Sequence, residues 1–338
     1  PIGCHSDDHR VSYIVSGDTI DLMTCSLNQR AFELAEWAAQ SADDLNVAVS
    51  RLPGGGRVLD FGVEATGGLQ AGIELARLCM AGLGEVSVTP GELDGMAWPQ
   101  VTVSTDYPAI ACLGSQYAGW KLAVEDFFGM GSGPMRAAAA TEELFDNLPF
   151  AESPEWCVGV LEAGQLPGDD VFAYIAEKTG IPANATTLAV APTSSQAGNL
   201  QVVARSVETA LHKLFELGFD VNRIVSGFGS APLSPVAKDD LTGIGRTNDA
   251  ILYGGRVTLW VTGDDDSLAE IGPKVPASAS PSYGKPFLEI FEEAGHDFYA
   301  IDPLLFSPAE IVFQNLDTGR VHRFGRTNPE VLVKSFGL

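Results

Sequence analysis

Apolar and polar positions along this chain recur with two periods, and the change from one to the other marks out its elements. Between residues 28 and 42 apolar side chains return at helical spacing, with Phe32, Leu34, Ala35 and Ala38 on one stripe, which predicts an amphipathic helix. Arg57–Gly62 reads as a strand. Gly67–Leu83 carries Leu69, Ile73, Leu75, Leu78 and Cys79 at helical spacing and reads as a helix. Glu85–Thr89 and Gln100–Asp106 read as strands, residues 108–118 as a helix, and Lys121–Val124 as a short strand.

Residues 141–155 are charged and punctuated by proline, the composition of a connection. Beyond them strands and helices alternate: Trp156–Leu161, a helix over 168–179, a strand over 186–190, one long helix over 196–217, and the strand Arg223–Ser226. That rhythm implies α/β packing with some parallel pairing. Arg256–Thr262 is an apolar strand, Pro273–Pro281 a linker rich in Pro, Ala and Ser, and Tyr283–Ala294 a helix. Ala309–Asn315 and Arg320–Phe324 flank Asp317-Thr318-Gly319, a hairpin turn signal. The expected fold is α/β, built as two layers or domains with a substrate cleft between them. At 338 residues the chain is long for one domain. An arm over 1–27, a first unit over 28–150 and a second over 151–338, with a C-terminal return to the first, is the division expected.

Composition narrows the function. A hydrophobic share of 45% excludes a disordered chain, and 37 glycines suit tight strand-to-helix turns. Forty-four acids against 20 bases leave a net charge of −24, which repels nucleic-acid phosphates and anionic membranes. The same charge serves solubility or salt adaptation, or sets up a field that attracts a cationic ligand. Cys4, Cys25, Cys79, Cys112 and Cys157 form no CxxC pair and are odd in number, so neither a disulfide framework nor a zinc motif follows. Reduced thiols, no apolar run of about 18 residues, and no basic region followed by an apolar one lead to the expectation of a cytoplasmic protein.

The most informative segment runs from Ala191 to Leu211. A buried strand, Thr187–Val190, enters a polar turn and then a helix whose apolar residues include Leu200, Val202, Val203, Val207, Leu211 and Leu214. Arg205 and Glu208 are three apart on that helix and share a face. In such surroundings they must either pair with each other as a helix support or face a cleft, because an isolated buried charge is too costly. Thr193 and Ser194 stand at the turn, where hydroxyls can cap the helix. Gly129–Pro134 (GMGSGP) sits between a strand and the alanine-rich helix Arg136–Ala140. It fits a backbone approach to a ligand or a tight turn alone, and its spacing is that of neither GxGxxG nor a P-loop. Gly245–Gly255 (GRTNDAILYGG) reads as a glycine-flanked turn whose Asn and Asp could stabilise it themselves.

Other polar groups carry less. His5, His9, His212, His296 and His322 show no metal-ligand spacing beyond Cys4-His5-x3-His9, read as adventitious, and no metal is expected. His212 lies one helical turn from Glu208 and could hydrogen-bond it or pack on the surface. Asp264-Asp265-Asp266 lacks the glycine and terminal glutamate of an EF-hand and reads as a solvated loop. No nucleophile elbow is present. A nicotinamide-dependent dehydrogenase is disfavoured because Gly62-Val63-Glu64-Ala65-Thr66-Gly67-Gly68 has the wrong glycine spacing.

Several stretches together resemble the methenyltetrahydromethanopterin cyclohydrolase family, enzymes of one-carbon metabolism in methanogenic archaea and some bacteria. They are Asp60–Ala65 with Gly67-Gly68, Gly119-Trp120, Gly129–Pro134, Ala191-Pro192-Thr193, Ala204–Thr209, Gly245–Asp249 with Ile251–Gly255, Tyr283–Phe287 and Ser335–Leu338. The similarity runs from about residue 30 to the last, and the N-terminal arm lies outside it. It implies a reversible hydration of a methenyl bridge, opening it to an N5-formyl group, with Glu208 activating water. Arg205 would hold that carboxylate in place and favour its ionised form. It further implies that Gly131, Ser132 and Gly133 wall a pterin cleft. Thr193, Ser194, Asn248, Asp249 and Tyr253 are the expected substrate contacts, since amide and carboxylate groups suit a pterin's amino-pyrimidinone edge. No cofactor is implied. Tetrahydromethanopterin or its dephosphorylated form is the substrate carrier, and the assembly is a homotrimer. A non-catalytic pterin-binding or regulatory protein is the alternative.

Overall fold

Runs of β-branched and small apolar residues form two six-stranded mixed sheets. The structure is a computed structural model that describes residues 11–15, 18–22, 26–148, 150–295 and 300–338. The first sheet has the order Ala48–Arg51, Arg57–Asp60, Thr186–Ala191, Cys157–Glu162, Phe127–Ser132 and Trp120–Val124. Its three central strands, Arg57–Asp60, Thr186–Ala191 and Cys157–Glu162, run parallel, and the flanking pairs are antiparallel. Thr186–Ala191 is buried along its whole length, the pattern of a parallel strand covered on both faces.

The second sheet has the order Val321–Gly325, Glu310–Asn315, Arg256–Val261, Ile224–Pro232, Gln100–Thr105 and Glu85–Thr89. Only Arg256–Val261 and Glu310–Asn315 are parallel in it. Both sheets draw strands from either side of residue 150, so they do not follow the division into 28–150 and 151–338. Among the described residues no helix is long and apolar enough to cross a membrane.

Two helices, Leu69–Cys79 and Gln196–Val203, lie between the sheets and feed both cores. Leu75, Leu78 and Ala197 join the core of the first sheet with Leu59, Val160 and Ala189. Ala76, Leu200 and Val203 join that of the second with Val101, Leu259 and Phe313. The outer face of the first sheet packs against the helix Asp169–Thr179 through Phe172 and Ile175. The two central helices meet at Gly72, where a Cβ would lie 2.9 Å from Leu200 Cβ and 3.1 Å from Ala197 Cα.

The elements expected from periodicity form, with five differences. Residues 196–217 are two helices, Gln196–Val203 and Ser206–Glu216, broken at Ala204 and Arg205. Residues 108–118 hold a π-helix, Ala109–Gln116. Gly129–Pro134 is no loop, because the strand Phe127–Ser132 runs through it and turns only at Gly133, whose φ of 86° suits glycine. Gly245–Gly255 is no turn but the second half of the helix Asp240–Gly254, capped by Asp239. Asp264 is no free loop residue either: it caps the helix Asp265–Ile271, and Asp265 bonds Asn315, Thr318 and His322.

The stretch 141–155 is tied in rather than free. It contains the helix Leu144–Asn147, and Glu152 accepts hydrogen bonds from the backbone of Leu27 and Asn28 at the start of the helix Leu27–Gln40. The hairpin Glu310–Asn315 and Val321–Gly325 forms where expected. Cys4, His5, His9, Cys25 and His296 lie outside the described residues.

The close approach at Gly72 makes a sharp expectation. Gly72→Ala should cost about 1–3 kcal/mol by wedging the central helices apart, read as a lower thermal midpoint. An unchanged midpoint would contradict the packing described.

Candidate active site

The break between the two central helix segments positions Arg205. No glycine or proline causes it. Gln116 is wedged against the gap, donating from its side-chain amide to Ala204 O at 3.2 Å, an insertion of the kind that kinks helices. Ala204 N still bonds Leu200 O, while Arg205 N reaches Val202 O, so the ladder tightens by one residue there. The Arg205 guanidinium turns to the first sheet and is nearly fully satisfied. It donates to Gln201 Oε1 at 3.1 Å, Gln116 O at 2.6 Å, Ser132 Oγ at 3.2 Å and Glu162 Oε1 at 2.9 Å. The expected Arg205–Glu208 pairing is therefore corrected: the carboxylate bound by Arg205 is that of Glu162. Burial opposes the charge on Arg205, but Glu162, Cys79 and Glu208 outweigh it and raise its pKa.

Glu208 lies in the first turn of Ser206–Glu216, is 4% exposed, and has no hydrogen-bond partner among the described residues. Burial pushes its pKa up to about 7, with Arg205 and Arg136 pulling it down and Glu162 pushing it up. Its basic neighbour does favour the ionised form, as expected, but desolvation outweighs that pull. The result is a carboxyl group that changes charge near neutrality, the range useful to a general base.

A second buried arginine completes the surroundings. Arg136 is wholly buried and forms a two-pronged pair with Glu142 at 2.7 and 2.6 Å. It also donates to Leu113 O and Ser115 O. Its guanidinium lies over the Tyr117 ring at 5.1 Å, and Tyr117 in turn stacks on His212 at 4.4 Å. Burial, then Arg136, lowers the His212 pKa to about 4, so this imidazole is neutral at ordinary pH; it packs on Tyr117 and does not bond Glu208. Burial and then Glu208 raise the Tyr117 hydroxyl to about 12.

The remaining expected contacts divide sharply. Ser132 joins the Arg205 network and touches Cys79 Sγ at 3.4 Å. Gly133 N binds Ser115 O, and Gly131 is packed beneath Leu122 and Met135. Ser194 is held by Asp240 Oδ1 through both its N–H and its hydroxyl, and the helix cap expected of it falls to Ser195. Thr193 is buried in the same turn. Asn248, Asp249 and Tyr253 are not brought to this cluster. Asn248 bonds Ile244 O, Asp249 accepts from Phe287 N, and the Tyr253 hydroxyl donates to Lys285 O. Burial raises Asp249 to about 7.

Sequence reading missed Glu162, Gln116, Gln201, Arg136 and Glu142. Gln201 had a signal, standing one turn before Arg205 on the same face. Glu162 had another: it ends a parallel strand, beside Ala191, and ligands of α/β sheets gather outside the carboxyl ends of such strands. Asp60 also ends a parallel strand, but its carboxylate is consumed by the N–H groups of Gly62, Val63, Glu64 and Ala65. A concavity of about 600 Å³ among Arg30, Ser104, Tyr107, Phe228, Trp260 and Leu316 contains none of the charged cluster, so the cluster's chemistry marks the site, not the size of an opening.

Comparison with known proteins points to one family. A family model described as Cyclohydrolase (MCH) matches residues 26–336. The methenyltetrahydromethanopterin cyclohydrolase of Rhodopirellula baltica is 50% identical over 289 residues, covering 84% of this chain and 87% of the relative. That of Methylobacterium sp. strain 4-46 is 46% identical, covering 92% and 97%. The archaeal protein of the same name from Methanococcoides burtonii is 40% identical, covering 93% and 98%.

The raised pKa of Glu208 carries a stability consequence with a definite sign. Below its ordinary value of 4.5 the group is neutral in both folded and unfolded chains, so it contributes nothing. Between 4.5 and about 7 the folded chain holds a proton that the unfolded chain has lost, so stability falls as pH rises. Glu208→Gln removes that loss. Its stability relative to the parent should rise from about pH 5 to pH 8, by up to about 3 kcal/mol. Denaturant unfolding at the two pH values measures it, and a pH-independent difference would refute the assignment.

Proposed function

The chain belongs to the methenyltetrahydromethanopterin cyclohydrolase family, and from that premise we propose that it catalyses the reversible hydrolysis of 5,10-methenyl-tetrahydromethanopterin to the 5-formyl compound. The observation that carries this reading is Glu208: a buried carboxyl group with no hydrogen-bond partner among the described residues, within electrostatic reach of the Arg205 and Arg136 guanidinium groups and titrating near pH 7.

The methenyl carbon is bonded to two nitrogens that share a positive charge, so it is already an electrophile. It needs no metal, nucleotide or redox group to activate it. What the protein must supply is a held water, a base and a proton for the departing nitrogen. In the forward direction Glu208 takes a proton from water as its oxygen adds to the carbon, giving a neutral hydroxylated bridge. Glu208 then returns that proton to one nitrogen as its bond to the carbon breaks. The hydroxyl proton leaves to solvent and the carbonyl of the N5-formyl group forms. Methenyl cation and water thus give formyl product and one proton.

An ionised Glu208 also opposes the substrate's charge, and a pKa near 7 lets the same group both accept and return the proton. Arg205, fixed by Glu162, Gln201, Gln116 and Ser132, acts as the fixed wall of the site rather than as a free charge. Gln116 Oε1 is buried with no partner and is an acceptor available to a bound water. Substrate contact through Gly131, Ser132, Gly133, Thr193 and Ser194 fits this location. Contact through Asn248, Asp249 and Tyr253 would require a substrate that extends to the helix Asp240–Gly254. A cytoplasmic homotrimer that uses the methanopterin carrier as its substrate completes the reading.

Loss of the methenyl compound's absorbance on mixing with the purified protein tests the activity. Glu208→Gln, which keeps shape and removes basicity, should lower kcat by about 10²–10⁴-fold while substrate still binds. Near-full turnover in that variant would refute the base assignment, whereas binding without turnover in the parent would mark a non-catalytic pterin-binding protein.

A further inference from the structure

Two buried arginines converge on one short element. The carbonyls at the end of the π-helix Ala109–Gln116 are taken up by both guanidinium groups: Arg136 bonds Leu113 O and Ser115 O, which Gly133 N also bonds, and Arg205 bonds Gln116 O. Each arginine is then matched by one acid from elsewhere, Arg136 by Glu142 and Arg205 by Glu162. Both positive charges act on Glu208. π-Helical turns are rare and often stand at functional sites. Here the π-helix is the beam on which both charges hang.

The deepening that follows rests on the reading of Glu208 as the base. We infer that Arg136 is a positioning residue of the reaction, which sets the placement and charge of Glu208 through the π-helix end and the Tyr117–His212 stack. Its fork geometry is the reason for arginine. Four N–H groups are spent at once, two on Glu142 and two on the Leu113 and Ser115 carbonyls, which an ammonium could not span. From this anchor the guanidinium presses on the Tyr117 ring, and Tyr117 presses on His212, one turn along the same helix as Glu208. A purely structural ion pair would have no such reach into the site.

The groups acting on Glu208 are Arg205 and Arg136, which favour its ionised form, and Glu162, which opposes it. Cys79, Cys112 and Tyr117 also face it, but burial holds all three neutral. His212, one turn on, is neutral for the same reason, with Arg136 adding to the effect. Arg136 is therefore one of only two positive charges in this set, and Glu142 keeps it from being free.

The experiment is the pH profile of kcat for the parent, Arg136→Met, Arg136→Lys and Glu208→Gln, with thermal midpoints measured alongside. The parent should lose rate as pH falls through the Glu208 pKa. Removing the charge in Arg136→Met should move that acid limb upward by about one pH unit. Arg136→Lys should return the limb to the parent's position while kcat stays at least about tenfold low, because the fork is not rebuilt. A limb unmoved in folded Arg136→Met, with only the midpoint lowered, overturns the inference and leaves Arg136 structural. Where Arg136→Met does not fold, Arg136→Lys decides: reduced kcat at little-changed KM supports the inference, and parental kcat overturns it. Failure of the base assignment itself looks different, since Glu208→Gln would then keep both its rate and its acid limb.

Discussion

Everything at the candidate site depends on the satisfaction of two guanidinium groups inside the protein. A buried charge is tolerated only when it is paired and its remaining hydrogen-bonding groups are met. Arg205 and Arg136 meet that condition by the same device: one acid each, plus carbonyls from the end of the π-helix Ala109–Gln116. An ordinary helix end offers its last carbonyls to solvent or to a glycine cap. This one offers them inward, to two cations and, at Ser115, to Gly133 N as well. The consequence is a rigid frame of fixed positive charge with a third carboxylate, Glu208, left out of it.

Leaving Glu208 unpaired is what suits it to the proposed role of base. Glu142 and Glu162 are each consumed by an arginine, whereas desolvation keeps Glu208 on the edge of ionisation. The nearby positive charges hold the shift in check. A pair bonded directly to Arg205 would have been a stable anion and a weak base. The observed geometry resolves that conflict, because Arg205 acts on Glu208 through space and on Glu162 through hydrogen bonds. Stability is lost by holding such a group, as is common where a site needs a carboxyl group of raised pKa.

The scaffold explains how residues distant in sequence meet here. Glu162 ends a parallel strand of the first sheet and Ser132 ends its antiparallel neighbour. Gln201 stands in the last turn before the break, and Arg205 at the break itself, between helices sandwiched by both sheets. The charge of −24 over the whole molecule adds a field favourable to the proposed cationic substrate.

Much of this was legible in the chain alone. Periodicity located most strands and helices, because the apolar faces of Leu69–Cys79, Thr186–Ala191 and Ser206–Glu216 are dictated by burial, which is a local property of sequence. Residue type and spacing singled out Arg205 and Glu208, since charge in an apolar helix demands a reason. The hydrogen-bond partners were not legible. Glu162 lies 43 residues from Arg205, Ser132 lies 73 away, and Gln116 lies 89 away, and no short-range pattern records such meetings. The helix break at Ala204 carries no glycine or proline, because the wedge that causes it comes from Gln116 on another element. The turn expected over Gly245–Gly255 failed for the opposite reason: Asn248 bonds the helix's own Ile244 O, and Asp249 and Tyr253 find partners at Phe287 N and Lys285 O, so the helix runs through them. Sequence determined which residues are apolar, which are charged and which family they belong to. Tertiary structure decided which charges neutralise each other, and so which buried carboxyl group is left unpaired, because desolvation and pairing are set by neighbours in space.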